Sequence, residues 1–167
     1  MLALQITSLK NFMNHLLAGD LFDIFLLEEA SISTAVTVRI DGSLNQKFYS
    51  TEEWEDKTLR PYDFVSWKDI KGTCFNLIKG KRTPSHFQFV FHLMPAHVSS
   101  ILQKGNATIS PDLVKAFVVT VRFDGEKATL YTGTSFTTFV LDKEPERLWD
   151  EAFKQYLYKK EIACEQL

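Results

Sequence analysis

Ala116 to Leu141 reads AFVVTVRFDGEKATLYTGTSFTTFVL, and this run decides the fold class. Phe117, Val119, Val121 and Phe123 alternate with Val118, Thr120 and Arg122, the period-2 pattern of a half-buried strand. Asp124-Gly125 is a hairpin signal, because Gly tolerates the positive φ of a tight turn. Lys127 to Thr132 is expected to return antiparallel. Gly133 breaks the pattern, and Ser135 to Leu141 is expected to make a third pass.

On either side of this run, strands and helices follow in an α+β order. Leu2, Leu4 and Ile6 make a short strand. Thr7 or Ser8 can cap a helix whose apolar face is Leu9, Phe12, Met13, Leu16 and Leu17, and Gly19 ends it. Leu21–Ile32 and Ala35–Asp41 read as strands, Asp41-Gly42 as a turn, and Gln46–Ser50 as a possible further strand of the local sheet. Thr51–Pro61 is polar and acidic, an exposed connection or one helical turn. Its Trp54 reads as a ring folded back on the core edge, with a partner contact as the alternative. Ser66 can cap a helix from Trp67 to Lys79 with Trp67, Ile70, Cys74, Leu77 and Ile78 inward. His86–Leu93 is a strand with Phe87, Phe89, Phe91 and Leu93 on one face. Pro95 suits the first helical position, and Gly105 closes that helix. Glu144–Ile162 is a last helix, and the tail after it is expected to fray.

Composition bounds the function. The 167 residues suit a single domain, and a 45% hydrophobic fraction supports a core built around 14 Phe. Nineteen basic against 21 acidic side chains argue against nucleic-acid binding by bulk charge, though not against a local patch. Cys74 and Cys164 lack metal spacing and read as reduced thiols. No signal peptide and no apolar run of about 20 residues is visible. The expectation is a soluble cytoplasmic protein that does not enter a membrane.

Catalytic and metal motifs are absent from the sequence. His86 and His92 share a strand face but stand about 20 Å apart in extended geometry. His92 and His97 could approach across Met94-Pro95, and His15 stands alone. Neither HExxH nor GxSxG occurs, and Gly133-Thr134-Ser135 lacks a phosphate-loop Lys and a following helix. Glu28 and Glu29, as strand neighbours, are expected on opposite faces and so form no carboxylate pair. The expectation is therefore no cofactor and no metal. The best patch is Trp67, Lys68, Lys71, Lys79, Lys81 and Arg82, cations near aromatic rings that could hold phosphates or a partner.

An internal echo organises the chain. Thr37-Val38-Arg39-Ile40-Asp41-Gly42 recurs as Thr120-Val121-Arg122-Phe123-Asp124-Gly125. It suggests two β-α-β-β-β halves, 1–50 and 85–142, with 51–84 inserted and a C-terminal helix 144–162. This arrangement resembles a domain of the DNA sliding clamps (processivity factors), and VTVRFDGEKATLYTGTSFTTFVL is similar to the final strands of a bacterial clamp domain. The second clamp helix would be either Trp67–Lys79 or Pro95–Lys104. Clamp helices facing DNA are rich in Lys and Arg, whereas the outer faces here offer Lys10 and Lys104 among neutral groups. The opening MLALQITSLKNFMNHLL and the ending TGTSFTTFVLDK also resemble an uncharacterised family of small proteins from clostridial Gram-positive bacteria. No activity comes with that resemblance.

Two functions are expected from this reading. The first is a non-enzymatic binding module, clamp-like in form, contacting a protein or nucleic-acid partner. The alternative is a small ligand-binding protein or enzyme with a pocket between sheet and helices, using His92, His97, Arg39 and Arg122.

Overall fold

The computed structural model describes residues 1–167. Alternating burial of Leu4 and Ile6 fixes strand β1 (Ala3–Ile6). Helix α1 (Leu9–Leu17) follows from the spacing of Phe12, Leu16 and Leu17, all buried. Ser8 stands at its N-cap without a side-chain bond. Leu21 and Phe22 are buried in turns ahead of β2 (Phe25–Ser33), which pairs with the exposed β3 (Thr37–Asp41). Gln46–Phe48 is a 3₁₀ turn rather than a strand. Helix α2 (Thr51–Glu55) opens with a reciprocal capping box between Ser50 and Glu53. The two-residue β4 (Val65–Ser66) leads into α3 (Trp67–Ile78). Then come β5 (His86–Leu93), α4 (Pro95–Lys104), β6 (Val114–Phe123), β7 (Ala128–Phe136), α5 (Glu144–Lys159) and β8 (Cys164–Gln166).

The fold class is α+β, with one antiparallel sheet ordered β3-β2-β5-β6-β7-β1-β8 and β4 beside β2. One face of the sheet carries the core. Phe87, Phe89 and Phe91 of β5 and Phe117, Val119 and Val121 of β6 are buried there with Phe12, Trp67, Val98, Trp149 and Phe153 from the helices. Ring contacts bind the layers: Phe22 stacks on Phe91 at 4.6 Å, and Phe117 lies parallel to Trp149 at 5.2 Å. Each fully buried side chain of this size contributes about 1.5–3 kcal/mol. On the other face Gln88, Val90, Val118, Thr120 and Tyr131 stay half-exposed, an arrangement open to antiparallel sheets.

Three sequence expectations need correction. The third pass over Ser135–Leu141 does not form. Gly133 sits inside one continuous β7, and the chain leaves the sheet after Phe136. The neighbouring strand has run out there: Pro111–Leu113 is a 3₁₀ turn, and the last bond is from Thr137 N–H to the Leu113 carbonyl. Nor does the tail fray, because β8 pairs with β1, Leu4 opposite Gln166 and Ile6 opposite Cys164. Finally, with Gln46–Ser50 and Thr137–Leu141 outside the sheet, the element order that occurs twice is βαββ, as β1–α1–β2–β3 and β5–α4–β6–β7. The two runs hold different places: β5 lies between β2 and β6, whereas β1 lies between β7 and β8. The segment 51–84 joins the common core through Trp67 and Cys74.

Candidate functional site

The uncovered sheet face is the surface on which polar chemistry is assembled. Register builds a single row across it. Arg39 lies opposite Ser31, Ser31 opposite Gln88, and Gln88 opposite Arg122. Arg122 then faces Thr129, Thr129 faces Gln5, and Gln5 faces Glu165. The row crosses all the strands of the main order, from β3 to β8, leaving out only β4. Three strand spacings separate Arg39 from Arg122, about 14 Å. The echo therefore places its two arginines in one line.

Neither arginine is in an ion pair. Arg122 Nε donates to Gln88 Oε1 at 2.8 Å, and its guanidinium lies over the Tyr131 ring at 5.2 Å. That holds the side chain flat while leaving its terminal nitrogens free. Two grooves flank the row. One, of about 620 Å³, is lined by Glu28, Glu29, Arg39, Asp41 and Phe64. The other, of about 420 Å³, is lined by His86, Arg122, Asp124, Lys127 and Tyr131. Ser31 and Gln88 belong to both, so they form one trough.

A β-bulge shapes the first groove. The β2–β5 register shifts between Leu27 and Glu29, and the extra residue re-aims Glu28. Glu28 Oε2 meets His92 Nε2 at 2.6 Å, and Phe64 packs edge-on against the His92 ring at 4.9 Å. Glu28 and Glu29 consequently line the same groove, which corrects the expectation that they face apart. Two polar residues in succession inside an apolar strand were the signal that strict alternation would fail here. Glu29 also stands opposite Asp41 across β2 and β3, a like-charge pair. The Ser43 backbone amide and hydroxyl hold the Asp41 carboxyl below the usual carboxylate range.

The residues proposed from sequence scatter. Trp67 is fully buried, and its Nε1 donates to the Leu16 carbonyl at 3.1 Å, so its ring is out of a partner's reach. Lys71 is committed to Asp23 at 2.8 Å and the Gly19 carbonyl at 2.7 Å. Lys68, Lys79, Lys81 and Arg82 are exposed. Arg82 and Lys10 line a groove of about 310 Å³ between α1 and the connection from α3 to β5. Of the enzyme-like set, Arg39 and Arg122 share the open face with His92 at its edge, while His97 lies on the helical side. Trp54 folds under Arg60, whose guanidinium sits 3.8 Å above the ring.

Residues 15–165 match the model of a family of unknown function (DUF5721). The chain belongs to this family. Comparison with curated proteins and with solved structures returned no match. The DUF5721 match begins at His15 in α1 and ends at Glu165 in β8, so it takes in the trough, the bulge and both arginines. No group of three His, Cys, Asp or Glu side chains converges as a metal set on this DUF5721 chain. No helix is long and apolar enough to cross a membrane.

Proposed function

We propose that the protein is a non-enzymatic binding module that receives a protein partner on its open sheet face. The observation that carries this reading is the register-aligned row from Arg39 to Arg122 within one trough. Its polar groups are spread along a line rather than converging on one bond, which suits recognition over a surface. The charge is mixed. The row holds two arginines without acidic partners, and two residues along β2 and β3 stand Glu29 and Asp41, whose mutual repulsion a partner cation would relieve. A polypeptide surface carrying both signs complements that pattern, whereas a polyanion would meet the carboxylates.

The test is quantitative affinity enrichment from cells that make the protein. Wild type is compared with R39E/R122E and with a K81E/R82E control on the far side. The expected result is a partner whose retention falls about tenfold or more with R39E/R122E and holds in the control. A partner retained equally by both variants overturns the assignment to this face.

A second reading is favoured by Lys10 and Arg82, which line the groove between α1 and the connection from α3 to β5, with the exposed Lys79 and Lys81 in that same connection; none of the four is ion-paired. In this clamp-like form the helical end meets a nucleic-acid backbone. Binding of a duplex oligonucleotide would then weaken steeply with salt and vanish on replacing Lys79, Lys81 and Arg82. Encircling a duplex needs several copies, so sedimentation as a monomer removes the ring. A cytoplasmic, Gram-positive bacterial setting belongs to the same proposal. Its cytoplasmic part is supported by the two free thiols, Cys74 buried and Cys164 half-buried, which suit a reducing compartment.

A further inference from the structure

We infer that the groove between α4 and α5, on the face opposite the trough, binds a small amphipathic acid: an aliphatic chain ended by a carboxylate. The groove holds about 390 Å³, within the range of small-molecule sites. Its floor is apolar, with Phe25, Leu93, Trp149 and Phe153 below and Ile101 and Ala152 on the walls. The helices close on each other at one end. A Cβ on Gly105 would come within 2.4 Å of Leu148 Cδ2, so Gly105 permits that contact and seals the groove there. From this point α4 runs back to His97, and α5 runs on to Tyr156 and Lys159. Lys159 stands about 16 Å along α5 from Leu148.

Charge differs between the two ends. Lys104 and Glu151 line the closed end, and Glu151 is held by Arg147 at 3.1 Å. The open end is lined by Lys159 and His97 with no carboxylate. Asp20 and Asp23 stand beyond it, each held by a lysine, Lys160 at 3.6 Å and Lys71 at 2.8 Å. The Tyr156 hydroxyl is committed to the Leu21 carbonyl. An anionic head therefore belongs beside Lys159 and His97, with its chain lying toward Gly105. The sequence offered no local sign of this, because the groove joins helices from two distant parts of the chain.

The experiment is calorimetric titration of the full chain with sodium dodecanoate. Hexanoate and dodecyltrimethylammonium serve as chain-length and head-group controls. Saturable one-to-one binding of dodecanoate is expected, weaker for hexanoate and for the cation. K159E should weaken it about tenfold, as loss of a charge-assisted contact does. A152W should abolish it by filling the groove, and S100W does the same from the other wall if A152W melts early. R39E/R122E should leave it unchanged, which separates this site from the trough. A lysine serving only the helix dipole would leave dodecanoate binding intact in K159E and overturn the assignment. So would an absence of saturable binding, binding indifferent to head charge, or binding that survives a filled groove. A groove that ignores dodecanoate and is shielded by a partner protein's helix would overturn it in favour of protein docking.

Discussion

Thr37–Gly42 and Thr120–Gly125 share the pattern Thr-Val-Arg-x-Asp-Gly, and the molecule uses the two copies for opposite purposes. The second is central. Val121 and Phe123 are buried in β6, and the Asp124-Gly125 turn joins β6 to β7 as a hairpin. Asp124 Oδ1 accepts from the amides of Lys127 at 2.8 Å and Glu126 at 2.9 Å, and Gly125 has φ +100°. The first copy is an edge. Val38 and Ile40 are only half-buried in β3, and Asp41-Gly42 leads away instead of back. Gly42 donates to the Glu28 carbonyl at 2.8 Å, and its own carbonyl accepts from Val65. Both copies end in Gly, one because the backbone must take a positive φ and the other because two backbones touch. A local pattern can specify a strand and a turn, but its neighbours decide what the glycine is for.

Alanine at the two glycines should separate the copies most strongly. A Cβ at position 42 would lie 1.8 Å from the Leu27 carbonyl oxygen, at the bulge that aims Glu28. Backbone cannot yield that far, so Gly42→Ala should cost about 4 kcal/mol or more. Gly125→Ala meets a positive φ and the Ser85 carbonyl at 2.9 Å, a strain of about 1–3 kcal/mol. Urea unfolding ranks them. Equal losses would mean the close approach at Gly42 is relieved by movement of β2.

A gentler probe compares the matching valines. Val121 is fully buried between β5 and β7, whereas Val38 is half-buried at the edge. Val121→Ala removes two buried methyl groups and leaves a cavity, so about 2–3 kcal/mol should be lost. Val38→Ala should cost less than about 0.5 kcal/mol, as exposed positions do. A large loss at Val38 would show that β3 is covered in solution, for instance by a partner on the trough.

The same contrast explains what was legible in the chain. The helices α1, α3, α4 and α5 could be read from apolar spacing, because each turns one face to a core that runs its whole length. His86–Leu93 was legible for the same reason at period 2. Pairing was not. Residues Cys164–Gln166 form a strand only because β1 offers them an edge, and that partner lies at the other end of the chain. Ser135–Leu141 has strand-like alternation, but after Thr137 no strand lies beside it, and Phe139 and Leu141 are left exposed. Nothing local to Lys71 announces its ion pair, because Asp23 is distant in the chain. The candidate face was legible as two arginines in an echo; the row between them needed strand order and register. Glu28 and His92 meet through a bulge, which has only a weak local signature.

The finest distinction between the copies lies in their aspartates, and it concerns ionisation rather than packing. Both carboxyls are held below the ordinary value of 3.8, Asp124 by the Lys127 and Glu126 amides and Asp41 by the Ser43 amide and hydroxyl. A carboxylate whose folded pKa is lowered stabilises the fold above its unfolded pKa. That contribution fades as pH falls below about 3.8, through the folded value. Both side chains are solvent-exposed, so the effect on stability is small and is better read directly. An NMR titration of the carboxyl carbons should give both midpoints below 3.8. Ser43→Ala should raise the Asp41 midpoint only part of the way, since the backbone amide is the larger cause and remains. It should leave Asp124 where it was. An Asp124 midpoint at its ordinary value would mean that the hairpin amides do not converge on it, and the two turns would then be alike after all.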